Sequence, residues 1–204
     1  MALPRVIVPP ADPPSRTFVS RAGHKLDAAI VALDLNLAHL SAADLGANVG
    51  GFTDCLLQHG AARVYAVDTG YGTLAWKLRK DPRVVVMERT NALHISLPEP
   101  VNVITIDVAW TRQEKILPKA AELLAPAGRV LTLIKPHYES ADALRGPKTR
   151  GVLDEAAALA TLERVAEEIT AAGWTVDALI QSPLRGAGGN MEFVAALRRR
   201  VSST

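Results

Sequence analysis

The chain has 204 residues, of which 49% are hydrophobic and 22% charged, with a formal net charge of +2 and one cysteine. That length suits one domain with a sizeable core. No apolar run approaches a membrane span, the near-neutral charge excludes a global grip on nucleic acid, and the lone Cys55 excludes a disulfide framework and suits a reducing, cytoplasmic setting.

Residues 1–17 contain five prolines and little periodicity, so they read as a flexible arm ahead of a single domain over 18–204. The N-terminus lacks the charged-then-apolar pattern of a secretory signal. A helix is expected next, with Ser20 as its cap and Leu26, Ile30 and Leu33 along one face. Lys25 falls near its start, the wrong end for a cation that complements the helix dipole. It is either a solvated surface lysine or is kept there for another reason.

Asp44 to Asp54, D-L-G-A-N-V-G-G-F-T-D, joins an apolar run to an apolar-periodic segment. That is a strand, a tight turn and a helix start. Glycine permits the backbone angles such a turn needs, and the new helix points its unpaired N–H groups at whatever sits there. A dinucleotide site wants G-x-G-x-x-G with a pyrophosphate on the helix N-terminus. Here the order is D-x-G-x-x-x-G-G, which argues against a dinucleotide oxidoreductase. A carboxylate one turn ahead suits a cationic ligand such as S-adenosylmethionine, so Asp44 is expected to face it. Gly46, Asn48, Gly50, Gly51 and Phe52 are the other candidate contacts in this turn. A second strand, 62–68, ends in Asp68, placed to accept both ribose hydroxyls of an adenosine.

The segment T-G-Y-G-T-L-A-W-K-L-R reads as a turn and helix, with Trp76 and Leu78 in the core and Tyr71 or Leu74 as covers for a ligand ring. A third strand, 83–87, precedes Asn91, a candidate adenine contact. A fourth ends at Asp107. A helix over 111–125 must accommodate Pro118 by a kink or a late start. Pro126–Gly128 then turns the chain into a fifth strand ending at Lys135. His137–Leu153 is a long loop, usually a functional feature in a compact domain. Asp154 is placed to cap a helix over 155–172. A sixth strand, 174–180, and a last strand, 191–197, are joined by a loop too short for a crossover helix, so the last strand should be antiparallel. Alternating strands and helices imply an α/β fold with helices on both faces. Asp44, Asp68, Asp107 and Lys135 all end strands on the edge where such sheets bind ligands.

The runs S-R-A-G-H-K-L, D-L-G-A-N-V-G-G-F-T-D-C-L-L-Q, V-D-T-G-Y-G-T-L-A-W-K-L-R, I-D-V-A-W, I-K-P-H-Y-E and G-N-M-E-F together resemble the TlyA (hemolysin-A-like) family of FtsJ-type ribose 2′-O-methyltransferases over roughly residues 18–200. The resemblance implies a Rossmann-like class I S-adenosylmethionine-dependent methyltransferase fold: a seven-stranded, mostly parallel sheet with an antiparallel last strand. It implies S-adenosylmethionine as cofactor, RNA, ribosomal above all, as substrate, and a catalytic Lys-Asp-Lys-Glu tetrad on Lys25, Asp107, Lys135 and Glu192. A ribose 2′-hydroxyl must lose its proton as it attacks a methyl group. Lys135 beside that oxygen would take the proton if neutral, or stabilise the alkoxide if charged. No metal is expected, since His24, His94 and His137 lack ligand-type spacing.

Family members commonly carry an N-terminal S4-type RNA-binding domain, and here about seventeen residues precede the match. Substrate gripping is therefore expected to fall to the catalytic domain, a second copy or a recruiting partner. Arg16, Arg21, Arg145, Lys148, Arg150, Arg185 and Arg198–Arg200 are the candidate phosphate contacts. The segment A-W-T-R-Q after Asp107 departs from the family's usual S-F and apolar continuation, and Trp110 would either stack a base or pack on the sheet. The hemolysin label implies a membrane activity that no segment supports. Two other readings stay open: a non-catalytic RNA- or ribosome-binding domain of this fold, and a methyltransferase for a small-molecule hydroxyl.

Overall fold

The alternation of apolar runs and amphipathic segments builds one sheet covered by helices on both faces. The structure, a computed structural model, describes residues 3–9, 16–109, 111–139, 152–186 and 188–200. Its strands are β1 Val6–Ile7, β2 Ser41–Leu45, β3 Arg63–Val67, β4 Val84–Met87, β5 Val101–Ile106, β6 Leu124–Ile134, β7 Trp174–Gln181 and β8 Phe193–Arg199. The helices are α1 Ala22–Ala32, α2 Gly51–Gln58, α3 Trp76–Arg79, α4 Gln113–Leu123, α5 Pro136–Glu139 and α6 Glu155–Ala171, with a 3-10 turn at Ala92–His94. The sheet order is β1-β7-β8-β6-β5-β2-β3-β4. β8 runs antiparallel to both its neighbours, and the other pairings are parallel.

Successive residues of the central strands face opposite layers. Val130 and Ile134 of β6 join a core with Ile116 and Leu117 of α4 and Leu162 and Ile169 of α6. Leu131 and Leu133 join the other core, with Leu26 and Ile30 of α1 and Leu56 of α2. Ile134 and Phe193 are register partners, and both are fully buried. Each contributes about 1.5–3 kcal/mol by leaving water, which fixes the start of β8 beside the end of β6. The parallel strands β2, β3, β5 and β6 end at one edge, and antiparallel β8 begins there. The residues just beyond them therefore share one rim.

The structure departs from the sequence reading at several places. An eighth strand, β1, joins the seven expected ones, pairing Val6 with Leu179 and Ile7 with Ile180. Two β-branched residues between prolines suffice at a sheet edge, where only one side must supply hydrogen bonds. Ser20 does not cap α1, whose N-cap is Arg21 without a side-chain bond. Asp154 does cap α6, accepting from Ala157 N at 2.7 Å. The turn expected at Pro126–Gly128 lies inside β6 as a bulge: Leu124 pairs with Val101 and Arg129 with Val103, and Ala127 has φ 61°. Pro118 sits within α4. The helix expected after β3 shrinks to the four residues of α3, and its Trp76 is 70% exposed while Leu78 is buried.

Candidate active site

β2 hands the chain to α2 through the glycine turn. Gly46, Asn48 and Gly50 have φ of 91°, 48° and 101°, the left-handed region that glycine and asparagine tolerate. A Cβ on Gly46 would lie 2.6 Å from the Asp107 carbonyl oxygen. Only glycine lets β2 and β5 leave the sheet this close together. Asp68 follows β3 and accepts from Asn48 N at 2.8 Å and from Gly70 N at 2.7 Å, one bond to each carboxylate oxygen. An ionised carboxylate offers about four acceptor positions, so each oxygen keeps one for a hydroxyl. Gly46, Asn48, Asp68, Asn91 and Asp107 line a cleft of about 420 Å³. Asn91 also uses its side-chain oxygen to cap the 3-10 turn, accepting from Leu93 N at 3.0 Å. A smaller adjoining pocket of about 80 Å³ is lined by Gly46, Asn48, Phe52 and Asp107 together with Ser20.

Asp44 does not face either cavity. It is wholly buried, accepting from Thr53 Oγ1 at 2.6 Å and Thr105 Oγ1 at 3.0 Å. Burial pushes its carboxyl up to about 6, against the two hydroxyl bonds that favour the charged form. The expected contact between Asp44 and a cationic ligand is thus replaced by a brace beneath the turn, linking β2 to α2 and β5. Gly50 and Gly51 likewise shape the turn without lining either cavity. A Cβ on Gly50 would strike Leu74 and Leu78, and one on Gly51 would strike Ser20 Oγ.

The four remaining residues meet at the rim as two ion pairs. Lys25 Nζ lies 2.5 Å from Glu192 Oε2, with side chains 12% and 4% exposed. Lys135 Nζ lies 2.5 Å from Asp107 Oδ1, with side chains 14% and 19% exposed. The ladder links the pairs: Ile134 stands opposite Phe193, which puts Lys135 and Glu192 next along on opposite strands. Lys25 is therefore not a solvated surface lysine. A lysine in the first turn of α1 is offset by a carboxylate from the far end of the chain.

Residues 18–199 match the FtsJ-like methyltransferase family. The chain belongs to that family. It is 39% identical over 188 residues to a candidate rRNA methyltransferase, YqxC, of Bacillus subtilis, covering 88% of this chain. It is 38% identical over 194 residues to the 16S/23S rRNA (cytidine-2′-O)-methyltransferase TlyA of Mycobacterium tuberculosis, covering 91% of this chain. The chain spans 65% of the length of the first relative and 70% of the second. A solved structure of a candidate hemolysin from Streptococcus thermophilus superposes with TM-score 0.85 at 35% identity, covering 94% of this chain and 70% of that one.

Several residues of this FtsJ-like site were not singled out from sequence as site residues. Ser20, Gly70, Thr90, Val108 and Thr111 line the cavities. Their common signal is position two to five residues beyond a strand end, or beside the first helix, which the sequence carries only weakly. Arg112 and Gln113, within the atypical segment after Asp107, anchor the chain that follows Lys135. Glu139 accepts from Gln113 N at 3.0 Å and Arg112 Nε at 3.2 Å, and Gln113 Oε1 accepts from Thr132 Oγ1 at 2.8 Å. Burial raises the Glu139 carboxyl above its ordinary range, and the bonds from Gln113 N–H and Arg112 oppose that.

The candidate phosphate contacts disperse. Arg16 pairs with buried Asp27 at 3.1 Å. Arg21 donates to the Arg185 carbonyl, and Arg185 to that of Gly189. Arg198–Arg200 close the far end of β8, away from Glu192, with Arg198 held by Asp177. Trp110, Arg145, Lys148 and Arg150 lie outside the described residues. Asp27, Cys55 and His59 converge as a mixed donor cluster, but the Asp27 carboxylate already accepts from both Arg16 and His59. A larger cavity of about 730 Å³ lies between α4 and α6, bordered by Leu117, Val165 and Trp174, and shares no residue with the rim. Among the described residues no helix is long and apolar enough to cross a membrane.

Proposed function

We propose that the chain is an S-adenosylmethionine-dependent ribose 2′-O-methyltransferase acting in the cytosol on RNA, ribosomal RNA by the names its relatives carry. The observation that carries this reading is the pair of ion pairs at the strand-end rim, with Asp107 lining both cavities beside the glycine turn. The cavities fit the cofactor. Asp68 presents acceptor positions for two hydroxyls, and Gly46, lacking a side chain, lets the turn lie close against the Asp107 backbone at the cleft wall. Asn48, Phe52 and Asn91 complete the holding set. Bound there, S-adenosylmethionine supplies a methyl group on a positively charged sulfur.

This chain's own residues supply the rest. Lys135 is the group set against the ribose oxygen. Neutral, it takes the hydroxyl proton; charged, it holds the developing negative charge. Asp107 fixes its direction through the 2.5 Å contact. Glu192 and Lys25 neutralise one another beside it, so the rim gains rigidity without a large net field. Holding acceptor and donor in line contributes at least as much as the proton transfer.

The test is incubation with labelled S-adenosylmethionine and total RNA, followed by mapping of the label. Label on ribose is the expected outcome. Cofactor binding with no transfer to RNA would favour a silent RNA-binding domain or a small-molecule substrate. Lys135→Ala should lower transfer by about 10²–10⁴-fold while calorimetry shows cofactor affinity largely unchanged. A fall in cofactor affinity instead would make Lys135 a cofactor contact and leave the ribose oxygen without its proton acceptor.

A further inference from the structure

Tyr71 and Trp76 are each 70% exposed, although the segment between them is firmly seated. Leu74 and Leu78 are buried and pack under the glycine turn against Gly50. Ala75 N donates to Val49 O at 3.0 Å. The two rings therefore point outward from an ordered base. Each carries a cation: Arg89 lies 4.1 Å from the Tyr71 ring centroid and Lys80 lies 4.7 Å from that of Trp76. Gly70 and Thr90, the chain neighbours of Tyr71 and Arg89, line the cleft. Arg89 N also donates to Gly70 O at 3.0 Å. The Tyr71–Arg89 stack thus stands on the lip of the cleft.

Charge selects the partner. Residues 71–90 hold Lys77, Arg79, Lys80, Arg83 and Arg89 against Asp81 and Glu88, a net +3, whereas the whole chain carries only +2. An apolar protein surface would have to strip water from these cations. A single-stranded nucleic acid offers bases to the ring and guanidinium faces and phosphates to the cations at once.

We infer that Tyr71, Trp76, Arg89 and Lys80 form a stacking platform that grips unpaired nucleotides of the RNA substrate beside the cofactor cleft. The inference rests on the RNA reading of the site. Stacking is indifferent to base identity because every base has a π-face, so the platform sets affinity and the path of the strand, leaving the choice of nucleotide to other contacts.

The test uses the full chain, a fluorescently labelled single-stranded oligoribonucleotide and separate calorimetry with S-adenosylmethionine. Trp76→Ala and Tyr71→Ala should each weaken oligonucleotide binding about tenfold, with cofactor affinity unchanged. Trp76→Phe should restore most of the loss, as stacking requires. Lys80→Gln should flatten the salt dependence, and Trp76→Ala should not. If the double Tyr71→Ala, Trp76→Ala variant binds RNA as tightly as the parent, the platform is refuted and the RNA reading stands. If the parent binds cofactor but no RNA, both fall together. If Tyr71→Ala weakens cofactor binding and spares RNA, the ring is a cofactor cover. If Trp76→Ala abolishes a concentration-dependent dimer and spares RNA, the patch belongs to a second copy. Either of those last results also overturns the platform.

Discussion

Asp44 shows how far a residue's type can mislead about its direction. Its place at the head of a glycine turn suggests a carboxylate for a cationic ligand, yet Thr53 and Thr105 claim both its oxygens inside the protein. Nothing in D-L-G-A-N-V-G-G announces that a threonine on β5 will reach it. A carboxyl raised from 3.8 to about 6 on folding takes up a proton. Its contribution to stability is therefore complete below the unfolded value and is lost as pH rises through about 6. Asp44→Asn should remove that slope. The stability of the wild type minus that of the variant, from urea unfolding, should fall by on the order of 3 kcal/mol between pH 4 and pH 7. A flat difference would show that the carboxyl is solvated in the native state. Lys25 is the converse case. The helix dipole makes it look misplaced, and its explanation, Glu192, is 167 positions away.

At the level of elements, the charged ends of β3, β5 and β6 could be read from apolar runs that stop at Asp68, Asp107 and Lys135. What the sequence could not convey is how the connections after those ends are tied down. Arg112 and Gln113 at the start of α4 bond Glu139 downstream of Lys135 and Thr132 upstream of it. The lysine is thus clasped on both sides by one dipeptide. Gln113→Leu should leave the buried Thr132 hydroxyl without its acceptor. The expected cost is about 1–3 kcal/mol in denaturant unfolding, with the turnover number falling about tenfold or more as Lys135 drifts. Cofactor affinity should hold, because neither residue lines the cleft. Gly46→Ala should do the opposite. Its methyl would press on the Asp107 carbonyl at a positive φ, and calorimetry should show cofactor affinity reduced at least tenfold, with a stability loss of about 1–3 kcal/mol. The misread helix after β3 has a plain cause: Gly70 and Gly72 delay its start, so Trp76 begins α3 facing outward.

For the molecule as a whole, the strand order had no signal in the sequence, whereas the reversed last strand followed from the length of its connection, and the two-layer helix cover followed from alternation. The edge strand β1 did not, because a two-residue pairing has no periodicity to detect. Leu3 and Val6 nonetheless pack against the main core, and β1 shields the outer edge of β7. Removing residues 1–9 should lower the thermal midpoint by a few degrees, consistent with about 1–2 kcal/mol of lost burial. Cofactor binding should be unaffected, since the opposite half of the sheet holds the cleft.

β8 has a further consequence. Synthesis delivers strands in chain order, but β8 fills the gap between β6 and β7 in the interior of the sheet. Until residues 192–199 are in place, β6 and β7 each keep an open strand edge and Lys25 lacks its counter-ion. The site is therefore assembled only when the late-arriving strand inserts between two that precede it in the chain.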